Sequence, residues 1–174
     1  MKTRRRESGQ SIIELAIATP VLLTLMLGAF TTATMISDRV IGGYACRQGA
    51  RLAAVLGGSS TNPTPVAQVD ANIVKNVLAV AQGLNYATVL EIDIYSPSRA
   101  DGQYTPGDPA DRYNGSGTLI GSIGFPMANR IQSPPNETSI GVRLVWQFQP
   151  ATAYMALNIQ MSEYAVLKLS PDLT

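Results

Sequence analysis

Between residues 12 and 36 the chain runs through 25 positions with one ionisable side chain, Glu14, and no alternation of polar and apolar faces. A helix of that length rises roughly 37 Å at about 1.5 Å per residue, enough to cross a bilayer with some tilt. The run is too long for the apolar core of a cleaved secretory signal, commonly about 7–15 residues. Pro20 lies inside it, removes one backbone donor and leaves the Ala16 carbonyl unpaired. A kink or looser turn is expected there, with Thr19 or Thr24 placed to satisfy freed groups. Gly28, Thr31, Thr32 and Thr34 are the small and hydroxylated types common where membrane helices touch.

After Asp38 the pattern stays helical to about Leu56, an Ala/Val/Leu series interrupted by Arg39, Arg47 and Arg51 and stopped by Gly57-Gly58. Gly42-Gly43 reads as a weak spot in it, at roughly 1 kcal/mol per Gly relative to Ala. Residues 57–65 have the composition of a linker. Val66, Val69, Ile73, Val77, Val80 and Leu84 then step by three or four, with Gln68, Asp70, Asn72, Lys75, Asn76 and Gln82 mostly off that stripe, which predicts an amphipathic helix lying on a sheet. Period-two alternation at Leu90, Ile92 and Ile94, and again at Ile140, Val142, Leu144, Trp146 and Phe148, predicts half-buried antiparallel strands. A last strand covers about residues 163–169, with Ala165, Leu167 and Leu169 on one face, and residues 150–157 before it read as a short helix or loop. Residues 96–136, rich in Pro and Gly, read as one long loop.

These elements predict an α+β protein: a long N-terminal transmembrane and stalk helix, then a small domain with one amphipathic helix packed on an antiparallel sheet. The expected boundaries are a leader at 1–9, a membrane helix at 10–36, a juxtamembrane stalk helix at 37–56, the linker at 57–65 and the α+β domain at 66–174.

Charge changes the picture at one end only. The first nine residues carry net +3 within a chain of net +1, so the rest is at −2. Lys2, Arg4, Arg5 and Arg6 directly before the apolar run put the N-terminus in the cytoplasm by the positive-inside rule, and everything after residue 36 on the other side. Arg99, Arg112, Arg130 and Arg143 stand singly among acids, which argues against nucleic-acid binding. The chain has no His, and nothing in it resembles a nucleophile–base pair, so no catalytic residue and no cofactor is expected. Asp101, Asp108 and Asp111 lack EF-hand spacing and read as solvated loop acids rather than a metal site. Cys46 is alone, so no intramolecular disulfide forms; it reads as a small apolar residue, with an intermolecular disulfide as the alternative.

Glu14 is the anomaly of the apolar run, since a carboxylate at membrane depth costs several kcal/mol unless paired, neutralised or close to water. One reading is an interfacial Glu at a frayed helix start. The other comes from its spacing: Gly9 followed by Gln10-Ser11-Ile12-Ile13-Glu14 resembles the type IV prepilin signal. Glu14-Leu15-Ala16 through Pro20, with Cys46-Arg47-Gln48-Gly49-Ala50-Arg51, is similar to the TadE-like family, pseudopilins of the tight-adherence (Flp) branch. Gln10 in place of the usual Phe departs from classical pilins, and Leu15 in place of Tyr departs from the major Flp pilin.

The resemblance implies cleavage after Gly9 by a prepilin peptidase, a new α-ammonium on Gln10, and a Glu14 that pairs with such an ammonium on a neighbouring subunit. It also implies a minor pilin of the inner membrane that works in assembly and adhesion. Its partners are then the membrane, the prepilin peptidase, the short major pilin, sibling pseudopilins and the inner-membrane platform, with oligomers built through the N-terminal helix. Arg47 and Arg51, one turn apart, read as a solvated face, as a tether to carboxylates of the following domain, or as a subunit contact. Tyr104, Tyr113 and Phe125 make the long loop a candidate contact surface. An unprocessed single-pass protein binding an envelope ligand is the other reading of the whole chain.

Overall fold

The structure, a computed structural model, describes residues 4–58, 65–132, 135–150 and 158–169, with side chains from residue 10 onward. Most of the expected linker, residues 151–157 and the first three residues lie outside the described set. The elements are α1 (Arg4–Leu56), α2 (Val66–Ala81), β1 (Ala87–Tyr95), β2 (Ala110–Asn114), a single 3-10 turn (Met127–Asn129), β3 (Ser139–Phe148) and β4 (Ile159–Lys168). This is the expected α+β fold. The chain forms two compact units, Met1–Ile36 and Ser37–Thr174.

The described residues of the first unit, from Arg4 on, are all helix. Pro20 sits within α1 without ending it. Thr19 donates to the Leu15 carbonyl at 2.7 Å and Thr24 to the Pro20 carbonyl at 2.8 Å, so each hydroxyl serves a carbonyl of its own preceding turn and neither takes that of Ala16. Thr31 and Thr32 bond back to Leu27 and Gly28 in the same way.

The second unit has two layers. Its four strands pair antiparallel in the order β2-β1-β3-β4. Ile92 and Ile94 of β1 and the even-numbered residues of β3 turn to one face, where they meet α2 and the part of α1 beyond residue 36. Every member of the α2 stripe is buried or half-buried, as its three-and-four spacing requires. The base of α1 packs through small residues: Ala45, Cys46, Ala50 and Ala53 are all fully buried. Small side chains let a helix axis approach the sheet closely. A Cβ at Gly49 would stand 2.5 Å from Val77 Cγ2 and 3.1 Å from Val142 Cγ1; one at Gly42 would stand 2.5 Å from the Trp146 ring.

The sheet departs from its expected form in four places. β1 alternates as expected only in its first half: Ile92 to Tyr95 are buried without alternation, as are Gly141 and Val145 on the far face of β3. The cause is the segment after β1, which folds over that face. Tyr95 donates to the Gly102 carbonyl at 2.6 Å, and the Tyr104 ring meets that of Tyr95 edge-on at 5.2 Å. Leu90, expected to point inward with Ile92, lies at a bulge between Val89 and Glu91 and is 39 % exposed. The expected loop at 96–136 contains β2, an edge strand whose partner β1 lies about twenty residues earlier. The last strand begins at Ile159 rather than near 163, pairs among the described residues only with β3, and holds Leu167 on the surface.

Candidate functional site: the helix start and its base

At the start of α1, Gln10 Nε2 donates to Glu14 Oε1 at 3.1 Å across one turn. Both residues are exposed, as are all others from 11 to 27, including Ile12, Leu15, Val21, Leu25 and Met26. Water does not tolerate so long an apolar surface unless something covers it. The helix is long and apolar enough to cross a membrane. Among the described side chains Glu14 has no cationic partner, so its charge is left for a group supplied from outside those residues.

The base of the helix is tied down by residues other than those expected. Arg47 and Arg51 are exposed and form no ion pair among the described residues; Tyr44, between Val40 and Arg47 on the outer side, accepts from Gln48 Nε2 at 2.8 Å. The tether comes from Arg39, whose Nε lies 2.6 Å from Glu163 Oε1 of β4. One residue earlier, buried Asp38 accepts from the Asn85 backbone N–H at 2.7 Å. Burial raises the Asp38 carboxyl, and the bonds from Asn85 pull it back only in part. Cys46 is fully buried and donates to the Glu163 carbonyl at 3.1 Å, and burial pushes its thiol up to about 12, the behaviour of a packing residue.

A second constellation is legible only in three dimensions. Arg130, with no exposed side-chain surface, reaches Asp70 Oδ1 and Oδ2 at 2.7 and 2.9 Å, Asp111 Oδ2 at 2.9 Å and the Phe125 carbonyl at 3.1 Å. Asp111 Oδ1 accepts from the Gly124 and Phe125 N–H groups. One guanidinium thus joins α2, β2 and residues 124–130. Burial pushes Asp70 up to about 6 against the pull of Arg130. Asp70 is the α2 residue that the stripe reading set aside; it lies one turn before Val74 and three residues before Ile73, inside the buried arc. Tyr113 and Phe125, expected on a contact surface, are buried in this core, and only Tyr104 is partly exposed.

A third cluster covers the far face of the sheet. Asp93, fully buried, takes Arg143 Nη1 at 2.9 Å, while Glu91 pairs with Arg112 Nε. Burial, then the neighbouring Glu91, pushes Asp93 up to about 6; for Glu91, burial is outweighed by Arg112 and its carboxyl is held low. Asp101 and Asp108 do separate work, the first with Arg99 and the Gln103 N–H, the second with the Ser98 and Thr105 N–H groups. The arginines that looked solitary along the chain each have an acid.

Among the described residues the geometry defines one helix long and apolar enough to cross a membrane, and a two-layer α+β unit that includes residues 37–56 of that helix. The family model for TadE-like protein matches residues 9–51, and that segment is consistent with a TadE-like pilin of the tight-adherence system. Neither the curated proteins nor the solved structures gave a match.

Proposed function

We propose that this protein is a minor pilin of a tight-adherence pilus, made as a prepilin, cut after Gly9 by a prepilin peptidase and recruited through Glu14. The observation that carries the reading is the extent of the family match, which starts at Gly9 and runs through Glu14 and the whole apolar segment to Arg51. Cleavage there removes the basic tip and leaves Gln10 as the new N-terminus. Glu14, exposed and without a cation among the described side chains, then meets the α-ammonium of a neighbouring subunit. In a lipid-shielded bundle each charge needs the other. Residues 12–36 anchor the subunit in the inner membrane, and residues 37–174 stand on the non-cytoplasmic side, where they contact the short major pilin, sibling pseudopilins and the assembly platform. The Arg39–Glu163 and Asp38–Asn85 contacts support this reading, since they join the base of the helix to the unit it must carry.

The reading separates two steps that substitutions at Gly9 and Glu14 test. Gly9→Val is expected to leave the chain full-length. Glu14→Ala is expected to be processed as the native chain is, yet to lower its recovery in sheared pilus and assembly-complex fractions at least about tenfold, a floor below the roughly 3–5 kcal/mol of one broken buried charge pair. Normal assembly by Glu14→Ala rules out the role given to that carboxylate.

A further inference from the structure

The two edges of the sheet are treated differently. On β2 the chain covers its own edge: Asn114 N–H donates to the Thr118 carbonyl at 2.9 Å and Ile120 N–H to the Arg112 carbonyl at 2.7 Å. On β4 no described strand pairs with the outer side. The phase of the ladder follows from Leu169 N–H, which donates to the Thr138 carbonyl of the β3 side at 3.0 Å. Odd-numbered β4 residues therefore turn their backbone groups to β3, and Gln160, Ser162, Tyr164, Val166 and Lys168 turn theirs outward. The strand holds ten register pairs with β3 without a bulge and contains neither Pro nor Gly. Free edges are normally blunted by short length, bulges, Pro or several charges, and here Lys168 is the one charge among the five outward residues.

Midway along this edge lies a pocket of about 240 Å³, lined among others by Arg39, Arg143, Tyr104, Ser162, Glu163 and Tyr164. Arg39 engages Glu163 through Nε, and Arg143 engages Asp93 through Nη1. Each guanidinium keeps further N–H donors that bond no described group. Arg143 also lies 4.8 Å over the Tyr104 ring, which holds it at the pocket wall.

We propose that the outer edge of β4 is a docking site for an extended segment of a different protein subunit, which adds a fifth strand to the sheet and seats an acidic side chain between Arg39 and Arg143. A row of outward N–H and C=O groups is satisfied by another extended backbone, and the guanidinium N–H donors that Arg39 and Arg143 keep beyond those on Glu163 and Asp93 take one further carboxylate beside residues 162–164. The proposal goes beyond the pilus reading and does not depend on it.

The test is amide exchange read residue by residue on the full chain, once purified and dilute in detergent and once in its native membranes. Residues 160, 162, 164, 166 and 168 are expected to exchange fast in the purified chain and at least about tenfold slower in membranes, while odd-numbered β4 amides are protected in both. Ser162→Pro removes an outward N–H and leaves the β3 ladder intact. It is expected to abolish the membrane protection with the odd-numbered amides unchanged, and Arg39→Glu to weaken it. Slow even-numbered amides in the dilute purified chain mean that the chain covers its own edge, protection that grows with concentration means a second copy, and fast exchange in membranes means an unused edge. Each of these overturns the proposal.

Discussion

Replacing Arg130 by Met is expected to cost about 3–5 kcal/mol at pH 7.5, the range for removing one partner of a buried ion pair. The size follows from what remains: Asp70 and Asp111, both without exposed surface, facing each other with no cation between them. The loss is also expected to depend on pH. The folded-state pKa of Asp70 is already raised, to about 6 against 3.8 unfolded. The folded protein therefore binds more protons than the unfolded one between those values, and stability increases as pH falls from 7 through 6. Without Arg130 the shift grows, so the penalty of the variant shrinks between pH 7.5 and pH 5. Trp146 is the only tryptophan and is fully buried, so its fluorescence during guanidinium unfolding in detergent reads the second unit directly. A cost below about 1 kcal/mol, or one independent of pH, contradicts this account of the cluster.

The second expected result is a reversal of sign between adjacent glycines. Helix propensity alone predicts that Ala at either position stabilises α1 by about 1 kcal/mol. At Gly43 the nearest atom to an added Cβ is the end of the flexible Arg47 side chain at 3.4 Å, so Gly43→Ala is expected to gain about 0.5–1 kcal/mol. At Gly42 the added Cβ meets Trp146 Cη2 at 2.5 Å and Cζ3 at 2.7 Å, atoms of a rigid ring packed on every side. Overpacking costs about 1–3 kcal/mol and outweighs the propensity gain, so Gly42→Ala is expected to destabilise. Unfolding midpoints of the two variants moving the same way contradict the close packing of helix on sheet described here.

What could be read along the chain was what a single element's physics determines. The membrane run needs only composition and length, and the Gly9-to-Glu14 spacing and the α2 stripe are local patterns. What could not be read depended on partners far away in sequence. Gly42 looked like a defect because Trp146, about a hundred residues later, is what requires it, whereas Gly43 has no such neighbour. Asp70 looked like a surface acid because Arg130 lies sixty residues on. β2 was hidden in a turn-rich stretch because its pairing with β1, rather than its own apolar pattern, makes it a strand: Asp111 and Tyr113 are buried while Arg112 faces out to Glu91. Arg47 and Arg51 shared a helix face, yet only Arg39 stands where β4 brings Glu163 within reach.

Whether Gly9 and Glu14 mark a prepilin is decided by the intact mass of the membrane-extracted protein from cells with and without an active prepilin peptidase. A chain that begins at Gln10 is expected when the peptidase is active, and a full-length chain when it is not. A full-length chain in both, or cleavage at a more distant site, contradicts the prepilin reading and leaves Glu14 as an interfacial residue of an anchored envelope protein.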